Sequence, residues 1–302
     1  MTRKTAAMNE EIIKNIIDNR ERDGLLPAKL YLVPTPIGNL SDISLRAIRV
    51  LEGAAEIYCE DTRNSIKLLN ALGIKKPLYS CHEHNERQRA EEILKKVQSG
   101  IAVAFISDAG MPAVSDPGER LVRVFSENNA PFEVLPGANA ALTAWIMSAL
   151  PTDRLYFSGF LPRSGAERAA AIADIARAPA TSVIYESPLR VGSTLAELYE
   201  KLGDRPCALV REITKVYEEA VRGSLYSLSL RYKDEPPKGE CVIVIGRSGE
   251  AEASEDEKPR ELIRMLLSSG CSTGDAAKIA AFALGGQKNR MYRLAMEIGK
   301  ED

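Results

Sequence analysis

The chain has two histidines, one tryptophan and five cysteines, and no C-x-x-C pair occurs among Cys59, Cys81, Cys207, Cys241 and Cys271. An odd number of widely spaced cysteines suits reduced thiols and argues against a disulfide framework or a zinc knuckle. An excess of one charge is also missing: 40 Lys and Arg stand against 42 Asp and Glu, a formal net charge of −2. Bulk charge therefore cannot draw the protein onto a polyanion, and a nucleic acid must meet a local basic patch. The most apolar stretches, IAVAFI (101–106) and CVIVIG (241–246), are six residues long, whereas a bilayer needs about 20. The N-terminal 24 residues lack an apolar run followed by a small-residue cleavage site, so no signal peptide is expected. These absences predict a cytoplasmic protein without a membrane span. No strand-like run leads into a G-x-G-x-x-G, a P-loop or a G-x-S-x-G elbow, which disfavours the usual dinucleotide fold, P-loop chemistry and Ser-His-Asp hydrolysis.

What is present is globular. The 302 residues are 45% hydrophobic and 27% charged, enough for roughly two domains. Ile12, Ile13, Ile16 and Ile17 fall at helical spacing within 8–22, and read either as an amphipathic helix that docks or as a frayed tail. From residue 30 a rhythm begins. Short β-branched runs at 30–33, 55–59, 77–80, 101–106 and 132–135 alternate with helical patterns at 43–53, 63–72, 86–99, 118–129 and 139–149. Such alternation predicts βαβ units and a mostly parallel sheet covered on both faces.

Pro151 stops the last helix and marks a boundary between 29–150 and 151–247. The second series predicts strands at 155–160, 181–185, 207–213, 217–223 and 240–246, with helices at 164–177 and 188–202. The short turn at 213–217 makes part of this sheet antiparallel. An acidic linker at 248–257, with five acidic residues in ten, then leads to residues 258–300, where eight Lys and Arg face three acids. Helical patterns at 259–268, 273–283 and 287–299 read as a basic helix-turn-helix-like module or as a structural cap.

The turns leaving the first five strands are unlike those entering them. PTPIGNL (34–40), EDTRN (60–64), CHEHNE (81–86), SDAGMPAVSDPG (107–118) and PGANAA (136–141) are crowded with Gly, Pro, Asn and Asp. In a parallel sheet all five share the carboxyl edge, where open α/β sheets bind ligands. The twelve-residue loop is the most telling, with prolines that stiffen it, glycines that admit a ligand, and fixed carboxylates at Asp108 and Asp116. His82 and His84, spaced H-x-H, lack the accompanying ligands of a metal site and read as donors at its rim, so no metal is expected.

Ten blocks occur in order over about 30–247: LVPTPIGNLSDISLRAIRVL, EDTRN, HEHNE, SDAGMPAVSDPG, LPGANAALTA, FSGFLPR, YESPLR, REITKVYEE, RG and KGECVIVIG. Together they resemble the tetrapyrrole methylase superfamily, and within it the branch of ribosomal RNA ribose methyltransferases. The basic tail, with KNRMYRLA, is similar to a C-terminal helical module of that branch. The resemblance implies two α/β domains with S-adenosylmethionine in the cleft between them, a small C-terminal helical module, and a homodimer. The implied activity is 2′-O-methylation of a cytidine ribose in 16S ribosomal RNA of the small subunit.

By the same resemblance the cofactor would meet Pro36, Asp108, Gly110, Met111, Asn139, Ala140, Tyr185, Val210 and Glu240. PTPIGN stands where the C-methylating branch has a Gly-rich first loop, which weakens a tetrapyrrole substrate. A C-methyltransferase acting on a tetrapyrrole and a non-catalytic RNA-binding assembly factor are the alternatives.

A ribose hydroxyl is a poor nucleophile and needs a base. The candidates are Glu60 and Asp61 of EDTR, then Glu212 with Lys215 of REITK, with the histidines behind them. Asp61–Arg63 reads equally as a capping pair at a helix start, and Glu212–Lys215 equally as a strand ion pair. Arg63, Arg163, Arg190 and Lys215 are candidates for the basic patch, and His82, His84 and Tyr79 for stacking on or bonding a nucleotide.

Overall fold

A computed structural model describes residues 26–247, 257–284 and 288–298. The expected helix at 8–22 and nearly all of the acidic linker lie outside the described residues. Five strands, β1 (Leu30–Val33), β2 (Glu56–Cys59), β3 (Leu78–Ser80), β4 (Val103–Ile106) and β5 (Phe132–Val134), form a parallel sheet in the order β3-β2-β4-β1-β5. Period-2 alternation sorts their side chains onto two buried faces. Tyr31, Val33, Ile57 and Ile106 enter one core, and Leu30, Leu32, Tyr58 and Phe105 the other. Central strands covered on both sides must be apolar throughout, as LYLV and VAFI are.

The helices between them are α1 (Leu45–Gly53), α2 (Thr62–Ala71), α3 (Glu86–Gln98), α4 (Glu119–Glu127) and α5 (Ala140–Met147). Their starts are set by side chains that satisfy free amides. Ser44 accepts from the Ala47 amide, Asp61 from Arg63 and Asn139 from Leu142. For α4 the cap comes from another helix. The buried Glu86 carboxylate accepts from the amides of Gly118 (2.9 Å) and Leu121 (3.2 Å), which fixes the end of the SDAGMPAVSDPG loop. Glu86→Ala strands both buried donors, and a loss of about 2 kcal/mol in urea unfolding is expected.

The second sheet comprises β6 (Leu155–Phe160), β7 (Thr181–Glu186), β8 (Pro206–Arg211), β9 (Glu219–Ser224) and β10 (Cys241–Ile245), in the order β6-β7-β10-β8-β9. Only β6 and β7 run parallel; the other three pairings are antiparallel. One face holds Ile184, Leu209 and Ile243 under α6 (Gly165–Arg177) and α7 (Val191–Leu202). The other face packs Val183, Val210 and Val244 against Ala141 and Ala144 of α5.

A short helix, α8 (Leu225–Arg231), was not expected. LYSLSL alternates as a strand would, but Ser224 and Ser227 form a reciprocal capping box that starts a helix there. The strand expected to reach 213 ends at Arg211, because Glu212 and Thr214 take left-handed backbone at φ 51° and 66°.

Both sheets belong to one compact unit. The C-terminal helices, α9 (Glu257–Ser268), α10 (Thr273–Leu284) and α11 (Lys288–Ile298), belong to a second. That unit has its own core of Ile263, Ala277, Ala280, Met291, Leu294 and Ile298. GCSTG (270–274) spells G-x-S-x-G, but it is a helix–helix turn in which Ser272 accepts from the Asp275 amide. No described helix is long and apolar enough to cross a membrane.

Candidate functional site

The loops after β1 and β4 are pinned edge to edge. Thr35 and Gly110 exchange both backbone hydrogen bonds at 3.0 Å. Thr35 Oγ1 also donates to the Ser107 carbonyl, and Ser107 Oγ to the Gly110 carbonyl. Gly110 sits at φ 80°, and a Cβ there would lie 3.1 Å from Ile37 Cγ2 and 3.4 Å from the Ala138 carbonyl oxygen. Three of the five Gly- and Pro-rich turns therefore close on one point, where only a glycine fits without strain.

This point borders a cavity of about 620 Å³, within the range of small-molecule sites. The first half contributes Ile37, Gly110, Met111, Asn139 and Ala140, and the second half Tyr185, Glu186, Glu212, Lys215 and Glu240. Tyr185 is fixed by edge-on contacts to Phe157 (5.1 Å) and Phe160 (5.4 Å), giving one wall an aromatic surface. At the REITK turn, Lys215 Nζ donates to Glu212 Oε1 (2.9 Å) and Glu240 Oε2 (3.0 Å), and the Glu240 amide donates to Glu212 Oε1 (3.0 Å). The Lys215 hydrogen bond holds the Glu212 carboxyl below its usual range. Gly239 (φ 86°) is required beside this network, since a Cβ there would lie 2.3 Å from Glu212 Cδ.

A second cavity, also about 620 Å³, is lined by Glu60, His82, His84, Glu86, Arg120 and Arg123 among others. It shares Ser115 and Asp116 with the first. Burial, then the neighbouring Asp108 and Asp61, raise the Glu60 carboxyl. Burial, then Glu60 and Asp108, push Asp116 up to about 7. His82 Nδ1 is buried without a hydrogen-bond partner among the described residues. Among those residues no group of three or more His, Cys, Asp or Glu is placed to hold a metal ion.

Of the residues singled out in the sequence, Gly110, Met111, Asn139, Ala140, Tyr185, Glu212, Lys215 and Glu240 meet at the first cavity, and Glu60, His82 and His84 at the second. The others lie elsewhere. Asp61 accepts from the Arg63 amide (2.8 Å) and from its guanidinium (2.6 Å to Nη2), so this pair caps α2. The Arg63 hydrogen bond draws Asp61 down to about 2, and the arginine side chain is 86% exposed.

Asp108 is turned to the same helix start and accepts from the Asp61 amide (3.2 Å) and Asn64 Nδ2 (2.9 Å). Val210 is fully buried in the sheet between β9 and β10. Pro36 is half-buried beside Ile37, outside the cavity lining. Arg163 is exposed away from both cavities. Arg190 is engaged internally with the Leu161 carbonyl (3.2 Å) and Glu186 (3.3 Å). Tyr79 stacks on Tyr58 (5.2 Å) beside Lys96 and so belongs to the packing of the first sheet.

Glu186, Ser187, Phe160, Arg120 and Arg123 line the cavities without having been marked in the sequence. A signal existed for the last two. They are three residues apart on the helix that the long loop enters, and so share a face.

The model of the tetrapyrrole (corrin/porphyrin) methylases matches residues 29–229. Among solved structures, uroporphyrin-III C-methyltransferase from Thermus thermophilus, complexed with S-adenyl homocysteine, aligns with a TM-score of 0.53 at 21% identity, covering 72% of this chain and 97% of that one. A diphthine synthase aligns with a TM-score of 0.58 at 16% identity, covering 72% and 89%. These two likenesses concern the fold.

Sequence relatives are nearer. Ribosomal RNA small subunit methyltransferase I of Micromonospora olivasterospora is 41% identical, over 92% of this chain and 90% of the relative. The protein of that name from Mesorhizobium japonicum is 42% identical, over 90% and 93%. That from Bacillus subtilis is 38% identical, over 87% and 92%. With the two sheets, the pinned loops and these relatives together, the chain belongs to the tetrapyrrole methylase family, in the group of the ribosomal RNA small subunit methyltransferases I.

Proposed function

We propose that this protein is a cytoplasmic S-adenosylmethionine-dependent 2′-O-methyltransferase that modifies a cytidine ribose in 16S ribosomal RNA of the small subunit. One observation carries the reading: two cavities of equal volume, different in chemistry, share the wall formed by Ser115 and Asp116. A methyl transfer needs donor and acceptor sites that touch.

The residues of the first cavity fit S-adenosylmethionine. The close approach at Gly110 leaves backbone where a Cβ would intrude, and Ile37, Met111, Phe160 and Tyr185 offer apolar and aromatic surface for a nucleobase. Lys215, Glu212 and Glu240 offer charges of both signs for the zwitterionic end. When bound, this cofactor supplies a methyl group activated by its sulfonium.

The chain's own part is to position and to discriminate. Arg120, and Arg123 beside its ion-pair partner Glu119 (2.6 Å), present cations to a phosphate, and the exposed His84 and half-buried His82 offer ring surface and donors to a base. Glu60, Glu83, Glu86, Asp116 and Glu119 share this lining, so the two arginines are its phosphate-binding groups within an otherwise acidic wall, and they support an RNA acceptor. The proposal includes a homodimer. Leu142 and Ile146, one helical turn apart on α5 and 47% and 70% exposed, support it as an uncovered apolar face.

The test offers methyl-labelled S-adenosylmethionine with small ribosomal subunits, with free 16S rRNA and with uroporphyrinogen. Label is expected on RNA, at a cytidine whose following phosphodiester resists alkali. Label on the tetrapyrrole would make the protein a C-methyltransferase, and cofactor binding without transfer would make it a non-catalytic factor. In the same assay the double variant Arg120→Ala, Arg123→Ala should raise the KM for RNA roughly tenfold or more and flatten its salt dependence. Its calorimetric affinity for S-adenosylmethionine should stay as in the wild type.

A further inference from the structure

The transfer must dispose of a proton, and the carboxylates differ in how free they are to take it. Asp61 is bound to Arg63 at the start of α2, and Glu212 is bound to Lys215 and the Glu240 amide. Asp108 is bound to Asn64 and the Asp61 amide. Glu60, Glu83, Glu86 and Glu119 line the second cavity and not the first, Glu86 being bound to the Gly118 and Leu121 amides and Glu119 to Arg123. Among the described residues, Ser115 and Asp116 are the two that line both cavities, and of these only Asp116 has a carboxylate.

The loop that carries Asp116 is held from several sides. Ala113 and Ser115 take left-handed backbone at φ 67° and 64°, and the Ala113 amide donates to the Pro117 carbonyl (3.2 Å). The Gly118 amide is held by the buried Glu86. Strain kept by so many restraints concentrates at functional sites. Among the described residues no donor is paired with the Asp116 carboxylate. Its neighbours are Glu60, Asp108 and Tyr185, and around the second cavity stand His82, Glu83, His84, Glu86 (bound to the Gly118 amide), Arg120, and Arg123 paired with Glu119.

We propose that Asp116 is the catalytic base of the transfer and accepts the proton of the ribose 2′-hydroxyl at the wall between the two cavities. The assignment rests on the ribose methyltransferase reading above. The hydroxyl oxygen forms its new bond to the methyl carbon while the carbon–sulfur bond breaks, leaving its electron pair on sulfur. The hydroxyl proton passes to an Asp116 carboxylate oxygen and from there to water. A base that titrates near the working pH suits this role, and Asp116, pushed up to about 7 by burial and by Glu60 and Asp108, is in that range.

The experiment compares wild type with Asp116→Asn, which keeps size and shape. Single-turnover transfer to small subunits is measured from pH 5.5 to 9, with calorimetric binding of S-adenosylmethionine and thermal unfolding in parallel. In the wild type the rate should rise tenfold per pH unit below about 7 and level off above it. In Asp116→Asn it should fall by 100-fold or more, lose that limb, and keep cofactor affinity within tenfold.

Unfolding gives a readout independent of activity. A carboxyl raised in the folded state costs stability as pH rises through its folded pKa. Asp116→Asn should therefore melt higher than wild type at pH 8, with the gain shrinking toward pH 5. A variant rate within threefold of wild type, or an unchanged pH limb, overturns the assignment of Asp116 alone. A wild-type protein that labels no RNA overturns the reading beneath it.

Discussion

Gly110→Val is expected to abolish S-adenosylmethionine binding, by 100-fold or more in calorimetry, while the protein still folds. Two effects combine. A β-branched residue at φ 80° is strained by about 1–3 kcal/mol. Its first carbon would also press on Ile37 Cγ2 at 3.1 Å and on the Ala138 carbonyl oxygen at 3.4 Å. Relief moves Ile37 and the Gly110 backbone, and with the further valine methyls displaces the loops after β1 and β4 that line the first cavity. The cost falls on the site more than on the core, because the buried strands beneath keep their pairing. An affinity within threefold of wild type would show that the cofactor is held elsewhere. Gly110→Ala should be intermediate, since it adds one methyl and less backbone strain.

The largest stability effect is expected for Arg168→Met. The residue is 8% exposed, and its guanidinium donates to Glu197 Oε2 (2.7 Å), the Pro162 carbonyl (2.9 Å) and Thr194 Oγ1 (3.1 Å). Thr194 in turn donates to the buried Glu186 (2.7 Å), which lines the first cavity. Methionine fills most of the volume but satisfies none of these acceptors; Glu197, 35% exposed, is left to solvent while the Pro162 carbonyl and the buried Thr194 hydroxyl lose a donor, a cost of about 2–3 kcal/mol. Thermal unfolding should fall by about 7 °C. The exposed Arg63→Ala should fall by about 1–2 °C, because its pair with Asp61 lies in solvent. Similar losses for the two variants would mean that the Arg168 network contributes only as much as a surface pair.

Most of the strands and helices of the first half were legible because each carries its own signal. LYLV and VAFI are continuous apolar runs, and Ser44, Asp61 and Asn139 announce helix starts by side chains that can accept from a free amide. The second half was read less completely where local and tertiary preferences disagree. LYSLSL has a strand's alternation, yet its capping box and the burial of Leu225 and Leu228 make it a helix. The end of β8 was placed two residues late, because nothing in REITK shows that Glu212 will turn left-handed to reach the Glu240 amide.

The site divides in the same way. Turns rich in Gly, Pro and Asp marked the carboxyl edge of the first sheet, and Gly110, Met111 and Asn139 were found through them. Which carboxylates face a cavity was not legible. Asp61 and Asp108 lie in motifs as pronounced as that of Asp116, but both are taken up by the start of α2. Only the placement of α3 and α4, with Glu86 capping the loop, leaves Asp116 on the wall between two cavities.

The sequence alone determined the alternation of strands and helices, the edge where the loops gather and the family these loops resemble. Those properties follow from periodicity and turn chemistry along a few neighbouring residues. Tertiary structure decided which charged groups are paired and which are free. That depends on partners brought from as far as 104 positions away, as Glu133 is brought to accept from Lys29, and on how much water the packing leaves beside each group.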